Sequence, residues 1–307
     1  MIRHLGYACQ NLSLQTGRKL SERIQTSRTI RMKNFTLERA GELAVRNSAD
    51  LLPILKWNAE HNIKFFRIGS DIFSFMDHAD LAYTLEDLDP NHRTKIITNF
   101  AEAGAFAKTN GMRLSCHPGP YTCLASPNPS IVEKSITSLR MHSLIADLLG
   151  YGEEFAINIH VGGVYEDKAA TAKRFVAAYE ELPPLLRQRL TVENDDKASM
   201  WSMGDLARLI HDRCGVKLVL DVHHHRFCDG GDTLRTAAAL AFSTWIGFSE
   251  IPKVHYSESR PDARPQAHSD YLKESIPDLC DHTEYDIMIE AKAKDLALLE
   301  YRERVCV

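Results

Sequence analysis

The chain is predicted to fold as a single-domain α/β protein, a (β/α)8 TIM barrel. Three observations carry this. Eight short apolar runs alternate with longer amphipathic segments along 307 residues, a length that α/β barrels reach as one domain. The apolar runs are rich in Val, Ile, Leu and Phe, as strands buried on both faces are. Reactive side chains recur at the ends of those runs, where a parallel barrel gathers its strand ends on one face.

The strands are expected at Ile2 to Tyr7, Phe65 to Ile68, Arg113 to His117 and Phe155 to His160, then at Leu190 to Glu193, Lys217 to Asp221, Pro252 to Tyr256 and Tyr285 to Glu290. Helices are expected between them, at about Leu37–His61, Asn91–Asn110, Ser130–Leu149, Lys168–Leu182, Ser202–Cys214 and Thr233–Phe242. A short helix is expected near Tyr271–Ser275, and a last one over Lys292–Val305. Ser130 and Ser202 read as cap residues, and Gly111 follows Asn110 as a stop signal. A doubly wound open sheet is the alternative, but Gly6 stands without a GxGxxG turn.

Composition excludes several classes. With 44% hydrophobic and 25% charged residues, the chain is neither disordered nor of low complexity. No apolar run reaches the ~18 residues of a membrane span, and the first residues lack the apolar core of a signal peptide. A cytoplasmic, nucleoid-associated location without membrane partners is expected. Seven scattered cysteines (Cys9, Cys116, Cys123, Cys214, Cys228, Cys280 and Cys306) form no CxxC pair and read as reduced thiols. Strand alternation should turn Cys116 away from the pocket that its neighbour His117 faces.

Histidine is the outlier, with 14 copies. The strand ends present His117, His160, Glu193 with Asn194 and Asp195, Asp221 followed by His223, His224 and His225, then Lys253, His255 and Glu290. Loop residues His78 and His268 are placed to join them. This is a set of imidazoles and carboxylates without thiolates, suited to Zn²⁺, Mn²⁺ or Fe²⁺. Six or more donors exceed what one tetrahedral ion uses, so two or more ions are expected, arranged to activate water and stabilise a phosphoryl or carbonyl oxygen. Taken singly, each residue has a plainer reading: a strand-end His is more often a hydrogen-bonded surface group, and Glu193 or Asp221 alone is a helix cap. Six successive units ending this way are hard to explain as packing. The three consecutive histidines cannot all point inward.

Residues 12–34 contain Arg18, Lys19, Arg23, Arg28, Arg31 and Lys33 against Glu22, a net of +5 that leaves −9 for the rest of the chain. A solvated loop is the ordinary reading of such a run. Its place just after the first strand favours a phosphate-contacting arm at the rim of the pocket, which Arg260 and Arg264 would extend. No Ser-His-Asp signature or P-loop is present.

In order, Leu5-Gly6-Tyr7 with Asn11, Phe66-Arg67-Ile68-Gly69-Ser70, His117-Pro118-Gly119, Glu193-Asn194-Asp195, Asp221 with His224-His225, Pro252-Lys253-Val254-His255, Ala267-His268-Ser269-Asp270-Tyr271 and Met288-Ile289-Glu290-Ala291-Lys292 resemble the UV damage endonucleases. The resemblance runs from about residue 2 to residue 294. It implies a (β/α)8 barrel with a cluster of three Mn²⁺ ions, Zn²⁺ or other divalent ions being alternatives, that nicks damaged double-stranded DNA immediately 5′ of UV photoproducts. The ligands it implies are His78, His117, His160, Glu193, Asp221, His224, His255, His268 and Glu290. Lys253 matches a lysine that can be carboxylated beside the metals, and Lys253, His255 and Glu290 are the implied catalytic residues. Tyr7 and Asn11 match residues that meet the damaged nucleotides, and Arg31 and Arg67 are expected at the DNA. The family usually has a Gln-Tyr pair after His-Pro-Gly, thought to probe the duplex. Here Pro120-Tyr121 stands in its place, which stiffens the loop and removes an amide side chain. Lesion range is therefore more exposed to change than hydrolysis.

The expected activity is metal-assisted phosphodiester hydrolysis at cyclobutane dimers and 6-4 photoproducts, with abasic sites as a further candidate substrate and the chain acting as a monomer. The alternatives are an abasic-site endonuclease or a sugar isomerase on a similar metal-binding barrel, and a non-catalytic damage-binding protein. The basic segment argues against an isomerase, and intact ligands argue against a pure binding module.

Overall fold

The computed structural model describes residues 1–19 and 22–305; Cys306, and Leu20 and Ser21 within the basic segment, lie outside them. Eight parallel strands close in sequence order: β1 (Ile2–Ala8), β2 (Phe65–Ile68), β3 (Arg113–Cys116), β4 (Ala156–His160), β5 (Leu190–Glu193), β6 (Lys217–Asp221), β7 (Lys253–Tyr256) and β8 (Tyr285–Ile289). β8 pairs back to β1, so no edge is left open. Gly6 lets this closure happen: a Cβ there would lie 2.3 Å from the Phe65 carbonyl oxygen.

Helices follow the strands: α1 (Leu37–Ala49), α2 (Leu51–Glu60), α3 (Pro90–Thr109), α4 (Pro129–Leu148), α5 (Lys168–Glu180), α6 (Pro184–Arg189), α7 (Met203–Leu206), α8 (Asp212–Cys214), α9 (Val222–His225), a single turn directly after β6, α10 (Leu234–Ser243) and α11 (Lys294–Val305). Asp89 caps α3 by accepting from the Asn91 and His92 amides, with Pro90 in the first turn. Outward-facing strand residues such as Leu114, Cys116, Ile157, Val192, Leu220 and Ile287 pack beneath these helices in one continuous core. Cys116 thus faces away from the barrel axis, as alternation requires, and the six described cysteines are free.

Three helix expectations change. The single helix over Leu37–His61 breaks at Asp50, because the Pro53 ring would collide with the Ala49 carbonyl in a continuous helix. The break frees the Asp50 carboxylate to accept from the Gln25 amide and pair with Arg28 at 2.6 Å. Residues Lys168–Leu182 end as a helix at Glu180, and Pro183-Pro184 start the separate α6. The short helix near Tyr271–Ser275 does not form. There the Glu258 carboxylate accepts from the Lys273 and Glu274 amides, and Arg304 donates to the Leu272, Lys273 and Glu274 carbonyls. Side chains satisfy the backbone that a helix would have satisfied itself.

The interior of the barrel departs from the branched apolar layers usual in this fold. Ala8, Phe65 and Met288 form a small apolar cluster. Around it the inward positions are polar: Arg113, Ser115, Asn158, Thr191, Lys217, Lys253 and Asp286 are all buried.

Candidate metal centre

The carboxyl ends of the strands carry the donors. Glu193, at the end of β5 and 1% exposed, is the hub. Its Oε2 lies 3.2 Å from His117 Nε2, 3.1 Å from His255 Nδ1 and 3.9 Å from His160 Nε2, and its Oε1 lies 3.4 Å from His224 Nδ1. Asn158, one inward position below His160 on β4, donates to the same carboxylate. Glu290, just past β8, sits 3.3 Å from His255 Nδ1 and 3.8 Å from His268 Nδ1, and accepts from Arg67.

Neighbouring groups orient these donors. Asp195 Oδ1 lies 3.1 Å from His160 Nδ1. The Asn194 carbonyl accepts from His224 Nδ1 at 2.9 Å, which directs Nε2 of that ring elsewhere. Asn194 also exchanges side-chain hydrogen bonds with the Asp221 backbone, at 3.1 and 2.8 Å, tying β5 to β6. Asp221 Oδ1 caps the one-turn α9 by accepting from the His224 amide. That turn decides between the three histidines: His224 joins the donors, whereas His223 packs against Phe227 and His268, with ring centroids 5.2 and 5.5 Å away.

The donors form three groups, His117–His160–Glu193, Glu193–Asp221–His224 and Asp221–His255–Glu290, each with ligand atoms within 4.8 Å of one another. Glu193 and Asp221 each belong to two groups, and a carboxylate has two oxygens with which to bridge. Among the described residues, Asp221 Oδ2 and His255 Nε2 are buried without a hydrogen-bond partner. Acceptors that face acceptors in a buried site fit cations, and oxygen and imidazole donors suit divalent ions of the Mn, Fe and Zn type.

The same crowding sets the protonation of the metal-free site. Burial disfavours a charged His160, yet Glu193 and Asp195 outweigh it and raise the ring to about 9. Burial likewise opposes charge on His224, which Asp221 and Glu193 raise to about 10. His117 goes the other way, down to about 4, because burial exceeds the help from Glu193. Burial would raise the Glu193 and Glu290 carboxyls, but the cations around them hold both well below the usual range. Burial, with Arg113 and Arg67 nearby, lowers the Lys253 ammonium to about 7 against the pull of Glu193; among the described residues its Nζ has no hydrogen-bond partner.

Other expected site residues fall elsewhere. His78 lies outside the three groups; its Nδ1 accepts from the Asp80 amide, and its ring meets Phe75 edge-on. His268 meets the centre through Glu290, 3.8 Å from its Nδ1, and through its ring neighbours. Tyr7 and Asn11, expected to meet nucleotides, are 0% exposed. Tyr7 points outward to α2, its hydroxyl donating to Asn58 Oδ1 at 2.6 Å and accepting from Asn11 Nδ2 at 2.9 Å. Arg67, expected at the DNA, faces inward on β2 and clamps Glu290, which keeps it charged despite burial. Pro120, Tyr121 and Arg31 are exposed, Tyr121 at 91%. In the basic segment Arg28 is spent on Asp50, and Arg18, Lys19 and Lys33 face solvent. Arg260 pairs with Asp270 at 3.1 Å.

Sequence reasoning missed Asn158. Its signal was its place two residues before His160 on the same inward face of β4.

Comparison with known proteins agrees with this geometry. A family model described as "UV-endonuclease UvdE" matches residues 3–305. A UV-damage endonuclease from Schizosaccharomyces pombe is 36% identical over 98% of this chain, which spans half of that protein. The crystal structure of SacUVDE superposes with a TM-score of 0.84 at 29% identity, covering 98% of this chain and 97% of that one. Endonuclease IV from Thermus thermophilus shares the fold, with a TM-score of 0.57 at 15% identity over 99% of both chains. With its closed barrel, its donor-lined mouth and a match over nearly its whole length, the chain belongs to the UV-endonuclease UvdE family.

Proposed function

We propose that this chain is a metal-dependent DNA repair endonuclease that hydrolyses the backbone immediately 5′ of cyclobutane dimers and 6-4 photoproducts and leaves a 3′-hydroxyl. The observation that carries the reading is the chain of three donor groups linked through Glu193 and Asp221. It supports three ions, of which Mn²⁺ is the proposed identity. His117, His160, Glu193, Asp221, His224, His255 and Glu290 would hold them, with His268 and His78 closing in from their loops. Bound there, divalent ions supply the Lewis acidity that activates water and offsets charge on phosphoryl oxygens.

The protein's own groups prepare that site. Asn158 and the surrounding imidazoles hold the Glu193 carboxylate ionised, and Arg67 does the same for Glu290. Asp195 and Asn194 fix the ring orientations of His160 and His224. Lys253, a buried amine without a partner, suits carboxylation beside the ions. Tyr121, fully presented on the turn after His117, offers a stacking face where a lesion has weakened the duplex. Pro120 holds that turn stiff, and Arg31 with the exposed bases of residues 12–34 supplies phosphate contacts. Tyr7 and Asn11 act through the loop after β1, which they brace. The proposed substrate is damaged duplex DNA, met by a monomer in the cytoplasm or nucleoid; among the described residues no helix is long and apolar enough to cross a membrane.

The test is a nicking assay on duplexes carrying one cyclobutane dimer, one 6-4 photoproduct, one abasic site or no damage, with Mn²⁺ and with chelator. Metal-dependent cutting 5′ of the photoproducts is expected. Cutting at abasic sites alone would narrow the function to an abasic-site endonuclease. A fully metallated protein that cuts no duplex would overturn the reading in favour of a small-molecule substrate.

A further inference from the structure

At the amino end of the barrel, away from the metal donors, a cavity of about 330 Å³ opens between the end of α5, α6 and the turns that precede β6 and β7. Tyr179, Pro184, Arg187, Cys214, Lys217 and Phe248 form its wall. Lys217 opens β6 and Asp221 closes it. At ~3.3 Å per residue the cavity lies roughly 13 Å along the strand from the donors.

Lys217 is 2% exposed. Among the described residues its ammonium forms neither a hydrogen bond nor an ion pair. It rests instead on two rings, with the Trp245 and Phe248 centroids 5.1 and 4.5 Å from Nζ, and Phe248 belongs to the cavity wall. Glu153 and Glu250 act on it only from beyond ion-pair distance. Arg187, half-buried on α6, also keeps its guanidinium unpaired among the described residues; its carbonyl accepts from the Tyr179 hydroxyl at 3.1 Å. No carboxylate lines the cavity. Burial pushes the Cys214 thiol up to about 11 and the Tyr179 phenol up to about 12, so neither supplies negative charge at neutral pH. Two cations thus share a cavity without a counter-charge. Burying a cation unpaired costs free energy that the ring faces return only in part.

We propose that this cavity binds a small organic phosphate monoester, its phosphate held between Lys217 and Arg187 and its apolar body against Phe248 and Pro184. Such a phosphate carries about −1.5 to −2 charges at neutral pH, which matches two cations. A monocarboxylate would leave one of them unpaired. The guanidinium can engage two phosphate oxygens at once, and the ammonium acts as a point charge beside it. The volume sits at the lower end of small-molecule sites, roughly 300–1,000 Å³, and exceeds what a bare phosphate fills, so the apolar wall has a body to cover. The site stands apart from the metals and does not depend on the endonuclease reading.

The experiment is calorimetric titration of the metal-loaded protein with phenyl phosphate, benzoate and inorganic phosphate. Phenyl phosphate should bind at least about tenfold more tightly than either of the others, which lack the second charge or the apolar body. Lys217→Met and Arg187→Ala should each weaken phenyl phosphate binding about tenfold or more, the worth of one hydrogen bond to a charged group, so a folding defect in one variant leaves the other to report. Metal content and nicking should stay at the wild-type level in both. Glu193→Gln separates this cavity from the metal centre, because it should bind phenyl phosphate as the wild type does. Binding lost in Glu193→Gln but kept in the other two would put the phosphate on the metals and overturn the proposal. So would no binding of phenyl phosphate, or equal affinity for benzoate or inorganic phosphate. None of these failures touches the endonuclease reading, which the nicking assay decides separately.

Discussion

The two mouths of the barrel are both charged and buried, and they use charge in opposite ways. At the amino end of the strands Asp286, fully buried, is shared by two guanidinium groups: Arg113 Nη1 at 2.9 Å and Arg3 Nη2 at 2.7 Å. Arg113 is stacked against Phe65 and Trp245, each ring centroid 5.3 Å away. At the carboxyl end, carboxylates and imidazoles crowd one another, and Asp221 Oδ2 and His255 Nε2 have no hydrogen-bond partner among the described residues. Opposite charges that satisfy each other stabilise a fold. Acceptors that cannot satisfy each other mark a place where something else binds. Two clusters of similar composition thus separate into support and function by their pairing, in line with the division of labour between the faces of such barrels.

The strongest way to break this contrast is at Glu193. Glu193→Gln keeps the shape but removes the charge shared by two donor groups. Nicking should fall on the order of 10³-fold or more, with metal content lower by elemental analysis and circular dichroism unchanged. Full metal occupancy in an active variant would remove Glu193 from the hub. The mirror experiment is Asp286→Ala, which leaves buried Arg113 only the more distant Glu250, 3.8 Å from its Nε, as an acidic partner among the described residues. Removing one partner of a buried pair costs about 3–5 kcal/mol, so urea unfolding should show that loss, while metal content per folded molecule stays at the wild-type level. A large drop in metal content would mean that the two mouths are not independent.

Lys217 sharpens the account of the amino end. Burial, with Arg113 nearby, pushes its ammonium down to about 8, against about 10.4 in an unfolded chain. Between these values the unfolded state holds the proton that the folded state has released, so stability rises with pH across that window. The gain is about 3 kcal/mol. Lys217→Met should abolish that rise, measured as the difference between variant and wild type in urea unfolding at pH 7.5 and pH 10. An identical pH dependence in both proteins would show that the ammonium is compensated by the rings of Trp245 and Phe248, whose centroids lie 5.1 and 4.5 Å from Nζ. The smallest expected effect is at Tyr121. Tyr121→Ala should weaken damaged-duplex binding roughly tenfold, the scale of one lost base–aromatic stack, without moving metal content or thermal stability. Equal binding would dismiss its stacking role.

Most of the architecture was legible before folding. The limits of β2, β5 and β6 match the apolar runs residue for residue, and His117, His160, Glu193, Asp221, His255 and Glu290 were visible as strand-end donors. The helix near Tyr271–Ser275 was misread because its hydrogen-bonding partners, Glu258 and Arg304, are remote in sequence. Asn158 was overlooked because an amide within an apolar strand carries no mark of what it will touch.

The sequence by itself determined the strand order, the helical shell and the kind of donors at the mouth, since these follow from local periodicity and from the rule that parallel strands bring their ends to one face. The tertiary structure decided which way each side chain turned. In strands buried on both sides, alternation separates two faces without saying which is the interior. Closure of β8 onto β1 settled it: Tyr7 outward to Asn58, Arg67 inward to Glu290, and one of three consecutive histidines, His224, turned to the donors by the single helical turn that Asp221 caps.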